Sequence, residues 1–520
     1  MSAIDWFVMI VYLLGMLLLA FWLGRRQQSA EDYFLGGQAL PSSALAASTI
    51  ATQCSTNSLL GAPAFVGFTV GGGLIWLQYE LAVPLAMAAL LWLLVPARRG
   101  GSASVYGILE AGLGRNARRL ASACFLLFRG VATGVTIYGV SLVLALILDV
   151  PYALAVVLLM GVTLLYDLLG GLRAVVISDV IQLALLTLTV LVSLAFLVND
   201  FGWAALFADR TTTLVNDWGV DGNSYGFWPM LIGGFFLYTA YYGCDQSQAQ
   251  RVLAASTDEG SQRVLLLNGL CRFPLVLAYC LLGLGLAAFA RANPAFIDAL
   301  PLTAAGTPNF NLVFPRYVLD VFGPGFVGLV MVGLLAAAMS SIDSAINSLS
   351  AATMEDFVRP QRTAKGDAMD GSNALFWSRA TTLFWGLFAV AFSFQVEQIA
   401  PTVLEAINKI GSMANGPLLA LFCLALLFKG VKERAAISAF LMAIAVNGAV
   451  AWLAPQVSWL WWNVIGFFVA LGGAVLLQRV GGGEPLSSRG YVGPPLERQT
   501  RILALAALAI FGVCLALQRI

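Results

Sequence analysis

Stretch after stretch of this chain runs for about 20 residues with hardly a charge, the length of helix that crosses the hydrocarbon core of a bilayer. Fourteen are read from its 520 residues, near 4–24, 41–70, 74–96, 119–148, 151–168, 174–198, 227–250, 264–290, 325–354, 374–396, 402–428, 435–453, 457–478 and 502–518. In lipid every backbone N–H and C=O has to be satisfied within the protein, which makes helices the solution for segments of this length. Composition agrees: 60% of residues are apolar and 11% are charged, whereas a water-exposed protein carries about 25% charged residues. An all-α polytopic membrane protein is therefore expected. The first stretch, from Ile4 to Gly24, is too long for a signal-peptide core and lacks a basic start, so it is expected to be retained.

Lysine and arginine set the orientation. With the N-terminus placed outside, the odd-numbered connections hold 21 of the 28 basic residues. The sequence thus predicts a multi-pass protein of a bacterial cytoplasmic membrane, with both ends outside the cytoplasm. Other classes are excluded by what is lacking. The net charge is +1 with no basic tract, which speaks against nucleic acid as a partner. There is no histidine, hence no imidazole ligand, base or proton relay. The seven cysteines stand singly in apolar segments, without the paired spacing of a zinc site or a disulfide framework. The connections are short apart from 199–226 and 291–324, too short for a soluble catalytic or signalling domain. No enzyme and no obligate protein partner is expected.

Among the ionisable groups inside the spans are Arg129, Arg272, Lys409, Glu80, Asp179, Asp245, Asp343 and Glu405. Each costs about 3 kcal/mol at mid-bilayer, so each is a functional candidate facing a cavity or a partner. Arg129 lies about ten residues into its span, roughly 15 Å from the edge at about 1.5 Å per residue. Its bidentate fork suits a carboxylate; the alternative is an ion pair with an acid such as Glu80. Glu80 in turn has Arg129 or Lys409 as candidate partners. Arg272 reads as an interfacial or structural charge, and Lys409 as either structural or gating.

Two spans are unusually polar. The second contains Ser48-Thr49-Ile50-Ala51-Thr52-Gln53-Cys54-Ser55-Thr56-Asn57-Ser58, and the seventh ends in Tyr241-Tyr242-Gly243-Cys244-Asp245-Gln246-Ser247-Gln248. A helix that breaks beside a cavity exposes carbonyl and amide groups able to bind ions and solutes. The two spans are five apart and cross in opposite directions, the pattern of two inverted five-helix repeats. The plainer alternative is helix–helix packing through Ser, Thr and Gly. The expected organisation is a first helix and loop (1–40), a first repeat (41–198), an extracytoplasmic loop (199–226), a second repeat (227–428) and three C-terminal helices (429–520).

Several motifs together resemble the solute:sodium symporter family of sodium–sugar, sodium–proline and sodium–sialic acid cotransporters. They are Asp32-Tyr33-Phe34-Leu35-Gly36-Gly37, Gly170-Gly171-Leu172 with Ser178-Asp179 and Gln182, and Gln250-Arg251. Further along come Ser340-Ser341-Ile342-Asp343-Ser344-Ala345-Ile346-Asn347-Ser348 and Asn408-Lys409-Ile410-Gly411-Ser412 with Gly416-Pro417. The resemblance covers about residues 1–480 and implies a LeuT-type inverted repeat with flanking helices. It implies Na+ as the coupling ion, held by Ala51, Cys54, Ala337, Ser340 and Ser341, and independently Ala337, Ser340 and Ser341 share a helical face at i, i+3 and i+4.

For the solute, the resemblance implies Gln53, Ser55, Ser58, Gln78 and Tyr241, with Arg129 as the clue to a carboxylate. A second sodium would lie among Asp179, Ser340, Asp343 and Ser344, giving two cations per solute; alternatively Asp343 turns away to a basic neighbour such as Lys409. The expected function is sodium-coupled import of a small carboxylate-bearing solute (a sugar acid, sialic acid or monocarboxylate) by alternating access. A neutral sugar or polyol is the next candidate and an amino acid of the proline type the third.

Overall fold

Apolar stretches of this length leave little room for anything but helix, and the computed structural model is built accordingly. It describes residues 1–25, 27–54, 56–97, 103–220, 222–303, 306–364, 371–396, 403–490 and 495–520. The chain begins with α1 (Ala3–Gly24), the short α2 (Ala30–Leu35), α3 (Ser42–Gln53) and α4 (Thr56–Phe68). Next are α5 (Leu77–Glu80), α6 (Ala82–Ala97), α7 (Gly107–Gly112) and the long α8 (Arg115–Leu148) and α9 (Tyr152–Leu206). There follow α10 (Gly234–Cys244), α11 (Gln246–Leu253), α12 (Asp258–Ala292), α13 (Ala295–Asp298) and α14 (Val313–Val321). Then come α15 (Phe326–Thr353), α16 (Arg359–Ala364), α17 (Gly371–Ser393) and α18 (Val403–Leu427). The last three are α19 (Glu433–Leu453), α20 (Trp459–Val480) and α21 (Glu497–Leu517), with a short antiparallel ladder joining β1 (Phe428–Lys429) to β2 (Ser487–Ser488).

Among the described residues, eleven helical runs are each long and apolar enough to cross a membrane. The difference from the fourteen expected has a physical cause. The stretches 41–70 and 227–250 are each interrupted, and 151–168 and 174–198 are joined within α9, which bends at Gly171 (φ 53°, ψ −165°). Burial separates axis from periphery: 89% of the apolar window that includes α15 is buried, against 17% for α21. Long α9 packs against α1, α3, α12 and α15 and so ties the first helix to the buried axis.

The motif after α1 also gains a structural account. Ser29 and Asp32 form a reciprocal cap that starts α2. Tyr33 is fully buried, donates to the Asp167 carbonyl at 3.1 Å and lies 3.2 Å from the Thr382 hydroxyl. The Phe34 carbonyl accepts the Gln250 amide. Positive φ at Gly36 and Gly37 (61° and 64°) then turns the chain toward α3.

Gly171 is where α9 and α2 meet: a Cβ there would stand 2.8 Å from the Tyr33 carbonyl, on a backbone conformation nearly confined to glycine. Gly171→Ala is expected to cost about 1–3 kcal/mol and to lower the apparent melting temperature in detergent by several degrees. Gly161→Ala, on the same helix with nothing within 4 Å, should leave it unchanged or slightly higher. Equal melting of both variants would contradict the contact.

Candidate functional site

Polar residues end α3. Serine, threonine and asparagine offer the backbone competing hydrogen bonds, and Cys54 leaves the helical region (φ −84°, ψ 62°) before α4 resumes at Thr56. The carbonyls freed near this break are met by α15. Ser340 Oγ donates to the Ala51 carbonyl at 3.3 Å and to the Ala337 carbonyl at 3.2 Å. Ser341 Oγ reaches the Thr52 carbonyl at 3.1 Å and lies 3.5 Å from the Ala337 carbonyl. Beyond the break, Thr56 Oγ1 donates to the Leu334 carbonyl at 3.0 Å. The Cys54 carbonyl faces elsewhere, 3.5 Å from the Tyr279 hydroxyl. Ala51, Ala337, Ser340 and Ser341 are thus gathered into one set of neutral oxygens, the kind of cage that suits a hard monovalent cation.

A second break separates α10 from α11. Asp245 (φ −82°, ψ 121°) caps α11, its Oδ1 accepting Ser247 N at 2.8 Å and Ser247 Oγ at 2.6 Å. Between the two breaks lies a cavity of about 200 Å³ whose wall includes Gln53, Ser58, Arg129, Tyr241, Asp245, Ser341 and Asn415. Arg129 Nη1 is 3.5 Å from Asp245 Oδ2, and the guanidinium lies 5.8 Å from the Tyr241 ring centre. Its Nε has no hydrogen-bond partner, nor has the Gln53 carbonyl oxygen.

Two other ion pairs lie in the same slab, and both are tighter. Arg272 donates to Glu80 Oε1 at 3.0 Å and to the Tyr238 and Tyr242 hydroxyls at 2.7 and 3.1 Å. Arg251 donates to Asp179 Oδ2 at 3.1 Å, to the hydroxyls of Ser48 and Ser344 and to the Ser247 carbonyl. Side-chain exposure sorts the three: 6% and 1% for Arg272–Glu80, 1% and 0% for Arg251–Asp179, but 17% and 15% for Arg129–Asp245.

Of the residues expected to touch solute, Gln53, Ser58, Arg129 and Tyr241 share the cavity wall. Gln78 is buried elsewhere, donating to the Tyr225 carbonyl at 2.9 Å, and Ser55 lies outside the described residues. Of the expected second-ion residues, Asp179 and Ser344 meet at the Arg251 guanidinium. Ser340 turns to the Ala51 carbonyl, and Asp343 accepts the Ser344 amide with its Oδ2 unpartnered. Glu80 pairs with Arg272, not with Arg129. Sequence reasoning passed over Asn415 and Asp167 and counted Arg251 among loop charges. Asp167 is fully buried, held by Asn347 at 3.4 Å, and Arg251 is 1% exposed. The polar run that ends the seventh span signalled the second break, and Asp245 with Ser247 supplies its cap.

The model of the sodium:solute symporter family matches residues 33–443. Sodium-coupled monocarboxylate transporter 1 of Xenopus laevis is 27% identical over 440 residues, 82% of this chain and 67% of that protein. The human sodium/iodide cotransporter is 26% identical over 433 residues, 81% of this chain and 66% of that one. Among solved structures, the substrate-bound outward-open state of a Na+-coupled sialic acid symporter superposes with a TM-score of 0.82 at 22% identity, covering 94% of this chain and 100% of that one. A nucleobase-cation-symport-1 family transporter matches with a TM-score of 0.51 at 12% identity, covering 89% of this chain and 96% of that one. These likenesses establish the LeuT-type fold.

Removing one partner of a buried pair leaves a lone charge and costs about 3–5 kcal/mol. Arg251→Gln is expected to destabilise the protein by that much in a detergent unfolding assay, and Asp179→Asn added to it should restore part of the loss. Simple additivity of the two substitutions would contradict the pair.

Proposed function

Because the chain belongs to the sodium:solute symporter family, we propose that it is a multi-pass carrier coupling downhill sodium entry to the import of a small carboxylate. Sodium would bind at the break between α3 and α4, on the carbonyls of Ala51 and Ala337 and the hydroxyls of Ser340 and Ser341, each hydroxyl turning its proton away from its carbonyl partner. The Cys54 carbonyl could join only by leaving Tyr279. One observation carries the most weight: Ser341 belongs both to this oxygen set and to the wall of the cavity that holds Arg129. An ion there would brace α3 and α4 against α15 and shape the floor on which the solute sits, so that each site favours the conformation that suits the other.

Arg129 would take the solute carboxylate. Its pairing with Asp245 is loose, its Nε is unpartnered, and its fork matches a carboxylate in shape and charge. The relative named for monocarboxylates supports the same class.

We read Arg251 as standing where a second ion would otherwise lie, which gives one sodium per solute. Two inverted repeats, 41–198 and 227–428, would each open on a broken helix, with 1–40, 199–226 and 429–520 outside them. The excess of basic residues in the odd-numbered connections supports a bacterial membrane topology with both ends outside the cytoplasm. The carrier does its work without covalent chemistry.

Two substitutions test this reading in proteoliposomes. Ser341→Ala removes a sodium oxygen and should raise the sodium concentration for half-maximal uptake about tenfold, or about 1.4 kcal/mol; an unchanged sodium dependence would move the ion elsewhere. Arg129→Lys keeps the charge and loses the fork, so affinity for carboxylates should fall about 10–100-fold. Full affinity in that variant would make Arg129 a structural charge.

A further inference from the structure

Asp245 presents its two oxygens to different tasks. Oδ1 is used up as the cap of α11, with Ser247 N at 2.8 Å and Ser247 Oγ at 2.6 Å. Oδ2 has Arg129 Nη1 at 3.5 Å, well beyond the 2.7–2.9 Å or so of a charge-assisted hydrogen bond. It therefore keeps accepting capacity on the same cavity that Arg129 lines. Tyr241, whose hydroxyl already accepts the Gln248 amide at 3.0 Å, lies against the guanidinium at 5.8 Å. A solute carboxylate seated on Arg129 comes to rest beside the Asp245 carboxylate. Two such groups repel unless a proton or positive charge lies between them. Arg129 offsets part of that repulsion, and a hydrogen-bond donor on the bound solute, aimed at Oδ2, offsets the rest.

We propose that Asp245 selects a carboxylate carrying a hydrogen-bond donor, hydroxyl or ammonium, on the carbon next to its carboxyl group. The donor would point at Asp245 Oδ2 while the carboxyl group occupies the Arg129 fork, so the pair reads two adjacent substituents at once. An unsubstituted acid of the same length would leave Oδ2 facing its own carboxylate. This inference rests on the carboxylate reading of the Arg129 cavity.

The test uses the full-length protein in detergent with saturating sodium and three probes: propanoate, 2-hydroxypropanoate and 2-aminopropanoate. Wild type is expected to bind at least one substituted acid tenfold or more tighter than propanoate, by calorimetry. Asp245→Ser keeps a good helix cap but removes Oδ2, and should bring that ratio close to one. Asp245→Asn separates the two donors: an amide oxygen still accepts from a hydroxyl but no longer attracts an ammonium group. Equal wild-type affinity for all three acids, or a ratio unchanged in Asp245→Ser, overturns the proposal while leaving the carboxylate reading intact. Should none of the acids bind wild type, that reading falls and this one with it.

Discussion

A helix that stops in the middle of an apolar slab leaves carbonyl groups that water cannot reach. That is the constraint on which this molecule turns. Cys54 breaks the helix, and α15 supplies hydroxyls from Ser340 and Ser341 to the carbonyls of Ala51 and Thr52. Each such bond is worth only about 1 kcal/mol net, but an unmet buried carbonyl costs about 1–3 kcal/mol. The break and the buried axis are therefore fixed to one another. Since the bonds are made by small neutral groups, a cation can take them over without moving a charge through lipid.

The charges in the slab follow a gradient of satisfaction. Arg272 is surrounded by Glu80 and two tyrosine hydroxyls, and Arg251 by Asp179, two serines and a carbonyl. Both are buried, and both join helices that are distant in sequence. Arg129 differs: its carboxylate partner is 3.5 Å away, and the pair is the most exposed of the three. In a low-dielectric setting an underused guanidinium attracts an anion, which is the ground for the solute site proposed beside it. The same comparison explains why Arg251 is assigned to the frame, although it occupies ground where an ion was expected.

The sequence carried the breaks well and the pairings poorly. A run such as Gln53-Cys54-Ser55-Thr56-Asn57-Ser58 has no place in a continuous membrane helix, and the spacing of Ala337, Ser340 and Ser341 puts them on one face, as found. Depth could be counted from a span end, which is why Arg129 stood out. Partners could not be counted that way. Glu80 and Arg272 lie 192 residues apart, and the rotation of their helices about each axis decides that they meet. Arg251 looked like a loop charge because it ends a span, yet α11 folds inward under its own cap at Asp245 and buries it. Gln78 lies on α5, away from the cavity wall, and meets Val215 and Tyr225 of the 207–228 connection.

The central claim is that one sodium at the α3–α4 break drives one carboxylate, with Arg251 standing in for any second ion. The most direct measurement is the sodium-to-solute ratio in proteoliposomes, from the solute gradient sustained at equilibrium by known sodium gradients at clamped potential. The account predicts a solute gradient that rises in direct proportion to the sodium gradient. A gradient that rises with its square, the mark of two sodium ions per solute, would contradict it.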